Sequence, residues 1–371
     1  MEPALLPEGF RDRLPPEAEA GARLLRTVID VVAAHGYERV QPPIAEYEAN
    51  LARWVETPAA GGLFRASDPA SGEGLALRPD MTGQIARIAS TRLLGVPRPL
   101  RLAYGGPVLR SRGSEIEPAR ERTQAGAELI GSDSVAAVGE VLALAVEALK
   151  ACAVEAISVD LTLPGLVPAL ARGPWPVADP AAVAAALDGK DWGALSVLGA
   201  ARYQALLEAA GEASAALERL RALAPGPDFT RLIDRVADVA AGLSGVRVTI
   251  DPTERHGFEY QSWIGFSLFG EAAGLPFRTE IGRGGSYAIR RPDGTREPAA
   301  GFSLYVDPLA EAGLGQGEVR RLFLPMGTPA EVGQRLRGEG YQTVAGLSEG
   351  DTAQALRCGF RWDGARVVEA G

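Results

Sequence analysis

The sequence predicts an α+β protein, built as one antiparallel sheet flanked by helices, with a helical insertion and a small C-terminal α/β segment. Three observations predict it. Strand-like stretches outnumber helical ones up to Leu309 and often follow one another directly, which favours an antiparallel sheet over the strand–helix alternation of a parallel one. Residues 164–242 shift to Ala, Leu, Asp and Arg at helical spacing, with Pro/Gly breaks from Gly173 to Pro180. Beyond Leu309 the run Gly313 to Gly317 reads as a linker, and the remaining residues alternate strand and helix. The expected domains are therefore 1-309, containing the insertion 164-242, and 318-371.

Each element has its own signal. After Pro15-Pro16, Leu24, Leu25, Val28, Val31 and Val32 recur at helical spacing, and Gly36 is a stop. Val40 to Ile44 contains Pro42-Pro43, which suits an extended edge segment and not a central strand. Leu100 to Ser111 and Thr123 to Ser132 read as strands, joined by the polar stretch Gly113 to Glu121. Asp133-Ser134 caps a long apolar helix that runs through Lys150. Ile157, Val159, Leu161 and Leu163 alternate with polar residues, the pattern of a half-buried strand. Strand character returns at Val246, Val248 and Ile250, continues from Phe258 to Phe269, and a hairpin turns at Arg291-Pro292-Asp293-Gly294. The C-terminal segment reads as a strand (Val319 to Pro325), a helix (Ala330 to Arg337), a strand (Tyr341 to Leu347) and a last strand near Val367.

Composition narrows the function classes. A hydrophobic content of 46% with 23% charged residues is that of an ordinary globular chain. The net charge of −9 offers no electrostatic footprint for nucleic acid, so no nucleic-acid partner is expected. Two cysteines, Cys152 and Cys358, fit a reducing compartment, and two histidines, His35 and His256, leave little for a zinc site; no metal and no cofactor are expected. The start lacks a secretory h-region, and no apolar run is long enough to span a bilayer. The expectation is a cytoplasmic protein.

Four constellations could carry chemistry. In Leu77-Arg78-Pro79-Asp80-Met81-Thr82, with Gln84 and Arg87 beyond, either a strand ends at Pro79 and Asp80 or Thr82 caps a helix, leaving Arg87 in solvent, or Asp80 accepts an ammonium group where the helix begins. In the second, Tyr104 to Arg110 is followed by Arg120, Gln124, Gly126 and Glu128. The last three share one strand face, giving either a polar floor for a small ligand or a solvated outer face. Arg110 has the forked guanidinium that binds a carboxylate or phosphate. The third is His256-Gly257-Phe258-Glu259-Tyr260-Gln261, where a lone histidine is more often structural than a ligand contact. The fourth joins Gly284-Gly285-Ser286-Tyr287 to Pro298-Ala299-Ala300-Gly301-Phe302, glycines that admit either a ligand or a bulge. Nucleophile elbows, phosphate-binding loops and metalloprotease helices are missing from the sequence.

In order, these four resemble the core of class II histidyl-tRNA synthetases, a likeness that begins at Leu6-Pro7-Glu8-Gly9-Phe10-Arg11-Asp12 and continues to about Leu309. Leu77 to Thr82 is similar to the segment holding the histidine amino group, and Tyr104 to Arg110 with Arg120 to Glu128 resembles class II motif 2. His256 to Phe269 falls on the histidine-specific segment, and Gly284 to Tyr287 on the glycine-tyrosine turn. The departures fall on the transfer chemistry. His256 stands where the synthetase has an arginine, with Arg255 one place away on the opposite strand face. Pro308 stands at the motif 3 arginine, Arg112 at a motif 2 glutamate, and Ser286 at the arginine of the turn. Adenylate formation relies on such arginines for electrostatic stabilisation.

Binding parts present and transfer parts absent is the pattern of the ATP phosphoribosyltransferase regulatory subunits, which this chain resembles also in Asp80-Met81-Thr82 and Ile85-Ala86-Arg87. That resemblance implies no catalytic residue of its own and a partner in the short-form ATP phosphoribosyltransferase catalytic subunit. It also implies feedback inhibition by histidine of the first step of histidine biosynthesis, and a homodimer within a hetero-oligomer. Histidine-binding residues carried over are Asp80, Thr82, Arg110, Gln124, Glu128, His256, Tyr260 and Tyr287. Glu128 and Asp80 would take the ammonium, Arg110 the carboxylate, and the two tyrosines the imidazole. The alternatives are an active histidyl-tRNA synthetase or another class II-like amino-acid ligase or sensor.

Overall fold

The computed structural model describes residues 5–51, 53–55, 62–114, 117–255 and 261–370. It divides into two compact units, 1–315 and 316–371. In chain order the first holds α1 (Glu17–Ala34), β1 (Glu38–Arg39), β2 (Ala45–Tyr47), α2 (Glu48–Leu51), β3 (Phe64–Ser67), β4 (Gly74–Leu77), α3 (Thr82–Thr91), β5 (Leu100–Leu109), β6 (Glu121–Ile130), α4 (Val135–Ala151) and β7 (Glu155–Thr162). The insertion follows: α5 (Leu166–Arg172), α6 (Pro180–Asp188), α7 (Trp192–Val197), α8 (Gln204–Glu208), β8 (Gly211–Glu212), α9 (Ala213–Leu223) and α10 (Pro227–Ala241). The chain then returns to the sheet with β9 (Arg247–Asp251), β10 (Gln261–Ala272), β11 (Leu275–Pro276), β12 (Gly282–Arg290), β13 (Arg296–Tyr305) and α11 (Val306–Glu311).

One ten-stranded sheet runs in the order β1-β5-β6-β13-β12-β10-β7-β9-β8, with β11 paired to β10. From β5 to β7 every pairing is antiparallel; the parallel pairings, β1 with β5 and β7 with β9, lie outside that block. Both faces of the central strands are covered. On one side Ala103, Ala125, Leu129, Phe302 and Leu304 pack with Leu24, Val28 and Val32 of α1 and Val138, Val141 and Leu142 of α4. On the other, Leu102, Tyr104, Ile130, Tyr287 and Ala299 pack with Met81, Ile85 and Ala89 of the α3 segment. Period-two alternation decides which residue faces which layer. Burying each large aliphatic side chain here is worth about 1.5–3 kcal/mol.

Local signals act as expected at several places. Ser134 caps α4 by accepting the Ala137 N–H at 3.2 Å. The β12–β13 hairpin closes with Arg291 N–H on Thr295 O, and Gly294 takes φ +83° at the turn. One detail differs: Arg87 is drawn out of solvent by Glu46, 2.6 Å away. Val40 to Ile44 follows the edge strand β1, with Val40 N–H on Ala103 O at 2.9 Å, and side chains hold its prolines, Arg78 donating to Pro42 O at 2.9 Å and Gln84 to Pro43 O at 2.9 Å.

The second unit contains β14 (Arg321–Leu324), α12 (Ala330–Gly338), β15 (Gln342–Ala345), β16 (Phe360–Trp362) and β17 (Val367–Glu369). Its sheet runs β15-β14-β16-β17, parallel except for the last pair. Leu322, Leu324, Leu336 and Trp362 form its core. The strand at Phe360 is too short to show a period in the sequence.

Candidate functional site

The site lies on the α3 face of the sheet, and strand register builds it. Tyr104, Gly126, Ser303 and Arg283 form one row across β5, β6, β13 and β12. The next row is Leu102, Glu128, Gly301, Gly285 and Gly265, which adds β10. Three successive glycines leave a trough beside the Glu128 carboxylate. A Cβ on Gly301 would overlap Glu128 Oε2, and one on Gly126 would overlap the Tyr104 hydroxyl. The resulting cavity is lined by Thr82, Glu128, Gln261, Arg283, Tyr287 and Ser303 among others.

Glu128 is the centre of the site and is 1% exposed. It accepts hydrogen bonds from Tyr287 Oη at 2.7 Å, Tyr104 Oη at 3.0 Å and Thr82 Oγ1 at 3.1 Å. Burial pushes its carboxyl up to about 8, against the pull of these hydroxyls, and the nearby Asp80 charge pushes the same way. Gln124, fully buried, accepts the Met81 N–H at 3.0 Å and donates to Asp80 Oδ2 and Ser303 Oγ, each at 2.6 Å. Asp80 also accepts the Thr82 N–H at 2.7 Å, which ties the turn into α3 from the residue before its N-cap, Met81. The polar face of β6 is therefore a buried floor and not a solvated outer surface.

The expected ligand residues do not all meet there. Thr82, Glu128 and Tyr287 line the cavity, while Asp80 and Gln124 stand one hydrogen bond behind it. Arg110 does not line it. Its guanidinium is 3.8 Å from Glu117, whose carboxylate also holds Arg122 at 2.7 Å, so Arg110 belongs to an ion-pair cluster at the end of the β5–β6 hairpin. His256 and Tyr260 lie outside the described residues. Arg283, Ser303 and Gln261 line the cavity without having been assigned a role from the sequence. Parity along β12 and β13 was the available signal: Arg283, Gly285 and Tyr287 share a face, as do Gly301 and Ser303.

A family model for histidyl-tRNA synthetase matches residues 9–309. A protein of Rhodospirillum centenum named ATP phosphoribosyltransferase regulatory subunit is 43% identical over 99% of this chain and 96% of its own length. A protein of Gluconobacter oxydans with the same name is 40% identical over 98% and 96%. This chain belongs to the ATP phosphoribosyltransferase regulatory subunit family. A solved structure from Bacillus halodurans, titled as such a regulatory subunit/histidyl-tRNA synthetase, superposes with a TM-score of 0.79 at 25% identity, covering 95% of each chain. The histidyl-tRNA synthetase of Nostoc sp. PCC 7120 shares the fold at a TM-score of 0.77 and 18% identity, over 96% of this chain and 90% of that one.

In this regulatory-subunit chain, two of the positions that depart from the synthetase pattern, Ser286 and Pro308, sit among structural contacts. Ser286 points its hydroxyl into β10, where it accepts the N–H groups of Trp263 and Ile264 at 3.2 Å each. Pro308 sits in the first turn of α11 beside Asp307, which pairs with Arg13 at 2.6 Å. Arg122 is 3.9 Å above the Tyr305 ring, and Arg120 lies against Phe10 and Phe64 at 4.9 and 4.7 Å. These cations are committed to the protein's own aromatic and acidic groups.

Proposed function

We propose that this chain is the non-catalytic regulatory subunit of an ATP phosphoribosyltransferase complex, and that it binds histidine in the Glu128 cavity. Histidine bound there inhibits, by feedback, the first step of histidine biosynthesis, which runs on a short-form catalytic subunit. The chain works as a homodimer within that mixed assembly, in the cytoplasm. One observation carries the reading: a buried carboxylate and an arginine, Glu128 and Arg283, line one small cavity. An amino acid has the complementary pair of charges. Its ammonium goes to Glu128, with Asp80 supporting through Gln124 and Thr82; its carboxylate goes to Arg283 in place of Arg110, sharing that guanidinium with Glu280; Tyr287 bounds the imidazole. The departures at Pro308 and Ser286 support a bound amino acid that does not react, because the positive charge that would stabilise a transferring phosphoryl group is missing from both positions.

The test is reconstitution. The chain is mixed with a short-form catalytic subunit, and phosphoribosyl-ATP formation is followed with and without histidine. The proposal expects product only when both proteins are present, and loss of rate on adding histidine. Product formation indifferent to this chain would refute the subunit role; a histidine-insensitive complex would refute the sensing role. Effector action requires that histidine favour one state of the assembly over another.

A further inference from the structure

The hydroxyl groups beneath the cavity have a fixed direction, and counting hydrogens shows what fixes it. Gln124 Oε1 accepts the Met81 N–H, which turns Nε2 toward Asp80 Oδ2 and Ser303 Oγ. An amide nitrogen only donates, so Ser303 Oγ accepts from it. Of the two neighbours of that hydroxyl, only Tyr104 Oη, 2.9 Å away, can take the serine's own hydrogen. Tyr104 then directs its single hydrogen to Glu128 Oε1 at 3.0 Å; the Phe302 carbonyl is farther, at 3.3 Å. Thr82 Oγ1 and Tyr287 Oη also end their hydrogens on Glu128. All three bonds suit an ionised Glu128, and a protonated one keeps them while pointing its own hydrogen into the cavity.

We infer that Ser303 is a positioning residue of this site: a one-way chain from Gln124 through Ser303 and Tyr104 to Glu128 leaves the cavity floor accepting only once Glu128 is ionised. Thr82, Ser303 and Glu128 face the ligand with lone pairs, and the group seated on them is a pure hydrogen-bond donor, an ammonium. The identity of the ligand rests on the histidine reading above; the chain of hydrogen bonds does not.

Ser303→Ala cuts the chain, and Tyr104→Phe cuts it one link later while keeping the ring. In the ligand-free protein, the titration of Glu128 is followed by NMR of 13C-labelled glutamate carboxyls, with Glu128→Gln used to assign the signal. Tyr104→Phe should titrate at higher pH than the wild type, because the ionised form has lost a donor, and Ser303→Ala should shift the same way by less, because Tyr104 keeps its hydrogen but is no longer directed. Calorimetry should show histidine affinity falling about tenfold in Ser303→Ala, the size expected for losing one hydrogen bond to a charged group, and recovering in Ser303→Thr, which keeps the hydroxyl. An unmoved Glu128 titration in both cut variants, or histidine affinity in Ser303→Ala within about twofold of wild type, would overturn the inference. A wild-type protein that does not bind histidine overturns the histidine reading instead, and the ligand-free titration still decides on the chain. Should Ser303→Ala not fold, Tyr104→Phe carries the same titration.

Discussion

Glu128 is a carboxylate held by hydroxyls, and that choice of partners makes its charge depend on pH and on ligand. Empty, it titrates at about 8, so at neutral pH it is largely protonated. An ammonium seated on it favours the ionised form and expels a proton. Histidine affinity should therefore rise from pH 6 to pH 8, and calorimetry in buffers of different ionisation heat should report proton release in that window. Proton uptake would contradict the assignment. The same shift fixes a stability prediction. The folded value lies above the ordinary 4.5, so the folded state holds the proton more tightly between about 4.5 and 8. Stability from this group is full below that window and is lost as pH rises through it. Glu128→Gln should accordingly melt higher than wild type at pH 9, with the gap closing toward pH 5. Glu128→Ala should weaken histidine binding by about 2–4 kcal/mol, since it leaves the ligand's cation without its buried partner; unchanged affinity would contradict the site. Sequence alternation alone brought Gln124 and Glu128 to one face. It could not show that Arg110 turns to Glu117, because the outcome depends on where the hairpin places an acid five positions before Arg122.

At the scale of elements, the cavity exists because β13, β12 and β10 carry glycine at the same row as Glu128. Gly301→Ala would push a methyl into the carboxylate and should lower stability by about 1–3 kcal/mol, as overpacking of a filled site does, along with histidine affinity. A melting temperature equal to that of wild type would show that the row can open. The end of the same two strands is tied by Glu297, 4% exposed, which holds Arg98 at 2.8 Å and Arg291 at 2.7 Å. These hydrogen bonds outweigh burial and keep its carboxyl below the usual range, so its stabilising contribution is present at neutral pH and lost as pH falls through that lowered value. Glu297→Ala should cost about 3 kcal/mol, by leaving two part-buried guanidinium groups without their acid; chemical denaturation measures it. Most elements were legible because each had a period or a cap: α1 from Leu24, Val28 and Val32, α4 from Ser134, β7 from its alternation. The strand at Phe360–Trp362 and the burial of Arg87 were not, since both depend on partners distant in the chain.

For the whole molecule, the fold is shared with histidyl-tRNA synthetases, and arginines around the sheet are held in internal contacts: Arg13 on Asp307, Arg122 on Glu117 and Tyr305, Arg120 on Phe10 and Phe64. The resemblance to histidyl-tRNA synthetases was readable from four short motifs in order, and the matched family model spans the same residues up to 309. What no motif could supply was the packing of those arginines, which is a property of the folded chain. Among the described residues no helix is long and apolar enough to cross a membrane. The most direct test is a crystal of the protein grown with both histidine and ATP. Unreacted histidine in the Glu128 cavity, with its ammonium on the carboxylate, is the predicted result; histidyl-adenylate in that density, or a cavity without histidine, would contradict it.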